Sequence, residues 1–125
     1  MVGGTILICD DRPVLRALLR EALSEGDYSI FEASDGDESI ELVRSVRPDV
    51  VVLDMVMPGR SGIDVLAEVR RDPRLADTLV ILCTATSVAL DEQVADGFGA
   101  DRYLRKPFSP LELVTVVEEL LGRRA

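Results

Sequence analysis

Pro48-Asp49-Val50-Val51-Val52-Leu53-Asp54 decides the fold. Four apolar residues run without a polar break and then stop at a carboxylate. A strand with one wet face alternates apolar and polar residues; this one does not, so both of its faces are covered. Parallel sheets with helices on each side produce that pattern. The segment therefore reads as a central strand of such a sheet, launched by Pro48-Asp49 and ending at Asp54.

Working outward, other short runs end in the same manner. Ile6-Leu7-Ile8-Cys9 stops at Asp10-Asp11, Leu79-Val80-Ile81-Leu82-Cys83 at Thr84, and Arg102-Tyr103-Leu104-Arg105 at Lys106-Pro107. Tyr28 to Phe31 is a short second strand. Helical patterns separate the runs. Pro13 opens the first helix, with Leu15, Leu18, Leu19 and Ala22 as its apolar stripe, and Gly26 closes it. Asp35-Gly36 turns into a helix carrying Ile40 and Val43. Met57-Pro58-Gly59 suits a type II turn, and a helix from about Gly62 is expected to bury Ile63, Leu66 and Ala67 before stopping near Asp72-Pro73. A weaker helix carries Leu90, Val94 and Phe98, closed by Gly97 and Gly99. Ser109, Pro110 and Glu112 form a capping-box start for the last.

Five βα units in succession predict an α/β domain spanning residues 1–125, with a five-stranded parallel sheet and helices on both faces. Right-handed crossovers and a central third strand favour the order 2-1-3-4-5, the flavodoxin-like doubly wound arrangement. The fifth strand, short and flanked by charge, suits an edge. The first and third strands are then neighbours at the switch point, where open α/β sheets hold their ligands beyond the carboxyl ends of the strands. Asp10, Asp11, Asp54, Thr84 and Lys106 all fall on that edge.

Composition bounds the chemistry. The 125 residues, 47% hydrophobic, suffice for one aliphatic core; aromatics are only 4% and tryptophan is absent. A formal charge of −9 repels phosphate backbones, so nucleic-acid binding by this domain alone is not expected. No stretch has the roughly 18 apolar residues of a membrane span and no signal-peptide pattern opens the chain, so a cytoplasmic location is expected. With no histidine, His-dependent hydrolase triads and most zinc sites are excluded. Cys9 and Cys83 lie on strands two places apart in that order, roughly 9 to 10 Å at ~4.8 Å per strand, too far for a disulfide.

Two carboxylates about 5 Å apart repel by about 3 kcal/mol at an effective dielectric near 20. Three such pairs would consume much of a small domain's ~5 to 15 kcal/mol of stability unless a cation sits among them or a carboxyl is protonated. Oxygen donors alone select a hard cation, Mg²⁺ or Mn²⁺ in its place. The plainer alternative makes Asp10 and Asp11 helix caps and Asp54 a loop-end acid. Thr84 and Lys106 taken singly are also ordinary structural and surface residues; it is the ordered set that signifies.

That ordered set resembles the receiver domain of two-component response regulators, of the chemotaxis type. The resemblance covers the whole chain: Asp10-Asp11, Asp54, Thr84-Ala85, Lys106-Pro107-Phe108, the intervals between them, and Met57-Pro58-Gly59, Gly62 and Ala100-Asp101. It implies that Asp54 accepts a phosphoryl group from a partner histidine kinase or phosphotransfer protein. Asp11, Asp54 and the carbonyl of Val56 would hold Mg²⁺, with Asp10 in support. Lys106 would pair with Asp54 and then with the phosphoryl oxygens, and Thr84 would donate a hydrogen bond to them. Tyr103 would switch from exposed to buried as Thr84 moves, and the Lys106-Pro107 bond would be cis. The readout surface would be the fourth helix, fifth strand and fifth helix, facing an unnamed protein target or effector domain. Such a domain is regulatory rather than an enzyme, although it promotes its own phosphorylation and slow dephosphorylation, and it is a monomer or a weak phosphorylation-dependent dimer. Val56 and Thr86 occupy the positions that tune the lifetime of the phosphorylated state, and neither offers a carboxylate or amide to orient water.

Other classes fit less well. A haloacid-dehalogenase-type phosphatase needs a second acid two residues after the nucleophile, where Val56 stands. A flavodoxin-like electron carrier needs a Ser/Thr/Gly-rich phosphate loop after the first strand, where Asp10-Asp11-Arg12-Pro13 would repel the flavin phosphate. A receiver-like interaction module that works without phosphorylation is the remaining alternative.

Overall fold

The computed structural model describes residues 4–84 and 99–124. Strands β1 (Thr5–Cys9), β2 (Ser29–Ala33), β3 (Val50–Asp54), β4 (Leu79–Thr84) and β5 (Arg102–Arg105) form one parallel sheet. Their order is β2-β1-β3-β4-β5, as expected. The second strand starts and ends later than Tyr28–Phe31, because its register on β1 runs from Thr5 opposite Ser29 to Cys9 opposite Ala33.

All five residues of β3 are buried, and alternation across the pleat divides its apolar side chains between two cores. Leu7, Cys9, Val51, Leu53, Val80 and Leu82 face one layer, built by α2 (Gly36–Val46) and α3 (Gly62–Arg71). Ile6, Ile8, Val50, Val52, Ile81 and Cys83 face the other, built by α1 (Pro13–Leu23) and the C-terminal helix (Pro110–Arg124). Cys9 and Cys83 are free thiols and sit on opposite faces, which forbids a disulfide more firmly than strand spacing does. The segment with Leu90, Val94 and Phe98 lies outside the described residues. Among those residues no helix is long and apolar enough to cross a membrane.

Two helix faces differ in phase from the expected stripes. On α1 the inward line is Leu15, Leu19 and Leu23, while Leu18 is 48% exposed. The sheet meets the helix along an i, i+4, i+8 line, and the i+3 position rolls out to solvent. On α3 the buried positions are Val65, Leu66 and Val69, with Ile63 only partly buried and Ala67 intermediate. The Ser61–Asp64 capping box fixes the start of that helix and thereby its phase. The last helix begins as expected: Glu112 N–H donates to Ser109 Oγ at 3.2 Å, and Ser109 N–H to Glu112 Oε1 at 3.1 Å.

The loop from β3 to α3 is held tightly. Gly59 takes φ 74°, as the third residue of a type II turn requires. Gly62 N–H donates to the Met55 carbonyl at 2.9 Å, and a Cβ on Gly62 would run into the backbone carbonyl of Asp54. At the sheet's opposite edge, Arg70 donates to the carbonyls of Gly99 (2.9 Å) and Thr78 (2.7 Å) and to the Asp101 carboxylate (2.7 Å). Asp101 also accepts the Val80 N–H at 2.8 Å, so one arginine and one aspartate clamp α3 to β4.

Leu19→Ala is expected to cost about 2–5 kcal/mol in urea unfolding, and Leu18→Ala no more than about 0.5 kcal/mol. Equal costs at the two positions would refute Leu19, rather than Leu18, as the inward side chain of α1. Gly62→Ala is expected to lose about 1–3 kcal/mol by forcing the Asp54 carbonyl aside; an unchanged melting temperature would show that the loop has room.

Candidate functional site

Each strand at the centre of the sheet can carry a charge only where it leaves the double-sided core. The polar side chains therefore gather at the carboxyl edge. Asp10 follows β1 and is buried at 3% exposure, Asp54 ends β3 at 6%, and Thr84 ends β4, also buried. Asp11 is exposed at the rim. Lys106, the residue after the edge strand β5, reaches back over β4 to place Nζ 2.9 Å from Asp54 Oδ1 and 3.6 Å from Asp10 Oδ2. Its backbone N–H donates to the Thr84 carbonyl at 2.7 Å, which fixes where the lysine starts. The Lys106–Pro107 bond is cis, as the resemblance implied.

The two buried carboxylates are held oppositely. Burial pushes the Asp54 carboxyl above its ordinary range, and the hydrogen bond and charge of Lys106 only partly offset this. Burial acts on Asp10 too, but hydrogen bonds from Arg12 outweigh it and hold the carboxyl below the ordinary range. Arg12 grips both Asp10 oxygens, Nε to Oδ1 and Nη2 to Oδ2, each at 3.2 Å, while its backbone N–H donates to Oδ1 at 2.9 Å. Arg16 Nη1 donates to the Asp10 carbonyl at 2.7 Å.

One carboxylate oxygen from each of Asp10, Asp11 and Asp54 lies within 4.8 Å of the other two. An all-oxygen set of that span suits a hard divalent cation. Val56 follows on the same loop, its N–H 3.4 Å from Asp54 Oδ1 and the residue 70% exposed. Tyr103 lies on β5 opposite Leu82, set back from the carboxylates and half-buried against the α2–α3 layer.

The edge thus brings together Asp10, Asp11, Asp54 and Lys106, with Thr84 on the strand between Asp54 and Lys106. Thr86 lies outside the described residues. Reading the sequence alone did not single out Arg12 or Arg16 as members of the site. The available signal was the position of Arg12 directly after the acidic pair and of Arg16 four residues later, one helical turn on, where both can fold back on Asp10.

The profile of the response regulator receiver domain matches residues 6–118. The phosphate regulon transcriptional regulatory protein PhoB of Pseudomonas aeruginosa is 36% identical over 98% of this chain and 54% of its own length. The chain spans about half the length of the curated relatives it matches. Among solved structures, the receiver domain of the Francisella response regulator 1452 has a TM-score of 0.88 at 30% identity, covering 98% of this chain and 99% of that one. The receiver domain of the sensor histidine kinase PA1611 of Pseudomonas aeruginosa, solved with magnesium coordinated in its active-site cleft, has a TM-score of 0.86 at 25% identity, covering 97% and 99%. The sheet order, the acidic edge and these matches agree: the chain belongs to the response regulator receiver domain family, whose function is phosphorylation-dependent signalling in two-component systems.

Proposed function

We propose that Asp54 is the phosphoacceptor and that Asp10, Asp11, Thr84 and Lys106 serve its reaction. The observation that carries this is the Lys106–Asp54 contact inside a three-carboxylate cluster. Asp54 attacks the phosphorus of a phosphohistidine or small acyl phosphate; the new bond is O–P, and the P–N or P–O bond to the donor breaks with its electron pair leaving on the donor. Asp11, Asp54 and the Val56 carbonyl, with Asp10 in support, would hold Mg²⁺, which would supply neutralisation of charge on the phosphoryl oxygens.

Lys106 begins paired to Asp54 and follows the negative charge outward onto the phosphoryl group. The Thr84 hydroxyl, buried at the end of β4, donates to the same oxygens. Because Thr84 is bonded through its carbonyl to Lys106, a shift of one moves the loop after β5. Tyr103, the half-buried second residue of β5, is placed to settle deeper when that loop moves. A few kcal/mol of new charge-assisted bonds suffice to bias such a two-state element.

The donor is a histidine kinase or phosphotransfer protein, with Mg²⁺ replaceable by Mn²⁺. The exposed Val14 and Leu18 on α1, beside the acidic edge, offer it an apolar footing. The readout face comprises β5, the C-terminal helix and the segment before β5, which lies outside the described residues. The net charge of −9 argues that this domain does not hold nucleic acid by itself.

Acetyl phosphate with Mg²⁺ is expected to add one phosphoryl group to the protein by intact mass spectrometry, and Asp54→Asn or chelation to abolish it. Retained labelling in Asp54→Asn would place the acceptor elsewhere. Val56→Asn, which puts an amide where water must be oriented, is expected to shorten the acyl-phosphate half-life several-fold; equal or slower decay would refute Val56 as the residue that prolongs it.

A further inference from the structure

Arg12 has no part in the chemistry proposed above, yet its side chain ends inside the same charge cluster. Asp10 Oδ1 accepts from the Arg12 backbone N–H at 2.9 Å and from Nε at 3.2 Å. Asp10 Oδ2 accepts from Arg12 Nη2 at 3.2 Å and stands 3.6 Å from Lys106 Nζ. Both oxygens of the carboxylate therefore face cations. The Asp10 side chain is 5% exposed and that of Arg12 54%, so the guanidinium closes over the carboxylate from the solvent side.

A helix-capping role does not account for this. Arg12 is the N-cap residue of α1, but its side chain makes no capping hydrogen bond, and Pro13 removes the first helical N–H. The guanidinium is spent on Asp10. A planar fork fits a carboxylate bidentately, holding both oxygens at once in a way a lysine cannot.

We propose that Arg12 is an internal competitor of the divalent cation: it engages both oxygens of Asp10 in an ion pair, so Asp10 supports the metal only in competition with the guanidinium. The inference rests on reading the acidic edge as a divalent-cation centre. With Arg12 and Lys106 both in place, the three carboxylates retain a formal charge of about −1 rather than −2, so the incoming cation meets less attraction as well as an occupied oxygen. Arg12 is thus a positioning residue that sets the metal concentration at which the site fills.

The test is calorimetric titration of the intact protein with MgCl₂, repeated with MnCl₂ while free Mn²⁺ is counted by electron paramagnetic resonance. Arg12→Gln is expected to bind both cations on the order of 10-fold more tightly. Arg12→Lys, which keeps the charge and loses the fork, is expected to fall between it and the parent; should Arg12→Gln not fold, a rise in affinity in Arg12→Lys supports the proposal and no rise overturns it. Arg16→Gln removes a neighbouring positive charge that pairs with Glu32 and meets Asp10 only at its backbone carbonyl, and a smaller gain is expected there. An equal gain from Arg16→Gln reduces the effect to bulk charge and overturns the competition at Asp10. Unchanged or weaker binding by Arg12→Gln, with saturable binding by the parent, overturns this inference alone. No saturable binding by any of the proteins overturns the divalent-cation reading and this inference with it.

Discussion

A central strand walled by helices on both sides has no place for a polar side chain until it ends. β3 obeys that constraint along its whole length, and β1 and β4 nearly so. The acids that close β1 and β3 therefore sit where the strands leave the core, and parallel orientation puts them at the same edge. The acidic cluster is in this sense a product of the core. Burial that stabilises the sheet by about 1.5–3 kcal/mol per large side chain also sets Asp10 and Asp54 close together in a poorly hydrated place.

The protein answers that crowding from two directions. Lys106 arrives from the edge strand and takes Asp54; Arg12 arrives from the start of α1 and takes Asp10. The result is asymmetric. Asp54 is left as the more easily protonated, more weakly satisfied carboxylate, and Asp10 as the firmly ionised one. Two aspartates at equivalent strand ends thus acquire different chemistry from their neighbours alone.

The sheet order and the residues of the edge were legible in the sequence because both rest on short-range signals: unbroken apolar runs and what terminates them. Helix phase was less so. Leu18 and Leu19 look alike as letters, and only the direction from which the sheet approaches α1 decides that Leu19 goes in and Leu18 stays out. Ile63 yielded to Val65 for a similar reason, since the capping box at Ser61 rather than apolar content sets the rotation of α3. Arg12 was less legible still. A surface arginine is a common residue, and its pairing with Asp10 depends on a backbone turn that brings positions 10 and 12 face to face.

Cys9 and Cys83 are buried on opposite faces of the sheet, their thiols pushed up to about 12 by burial. Protonated and shielded, neither is a nucleophile in the folded domain. Each becomes reactive only when its own helical layer lifts away: α2 and α3 for Cys9, α1 and the C-terminal helix for Cys83. Nature has in effect placed one silent chemical probe under each roof of the molecule, so alkylation of the two cysteines distinguishes which side breathes first.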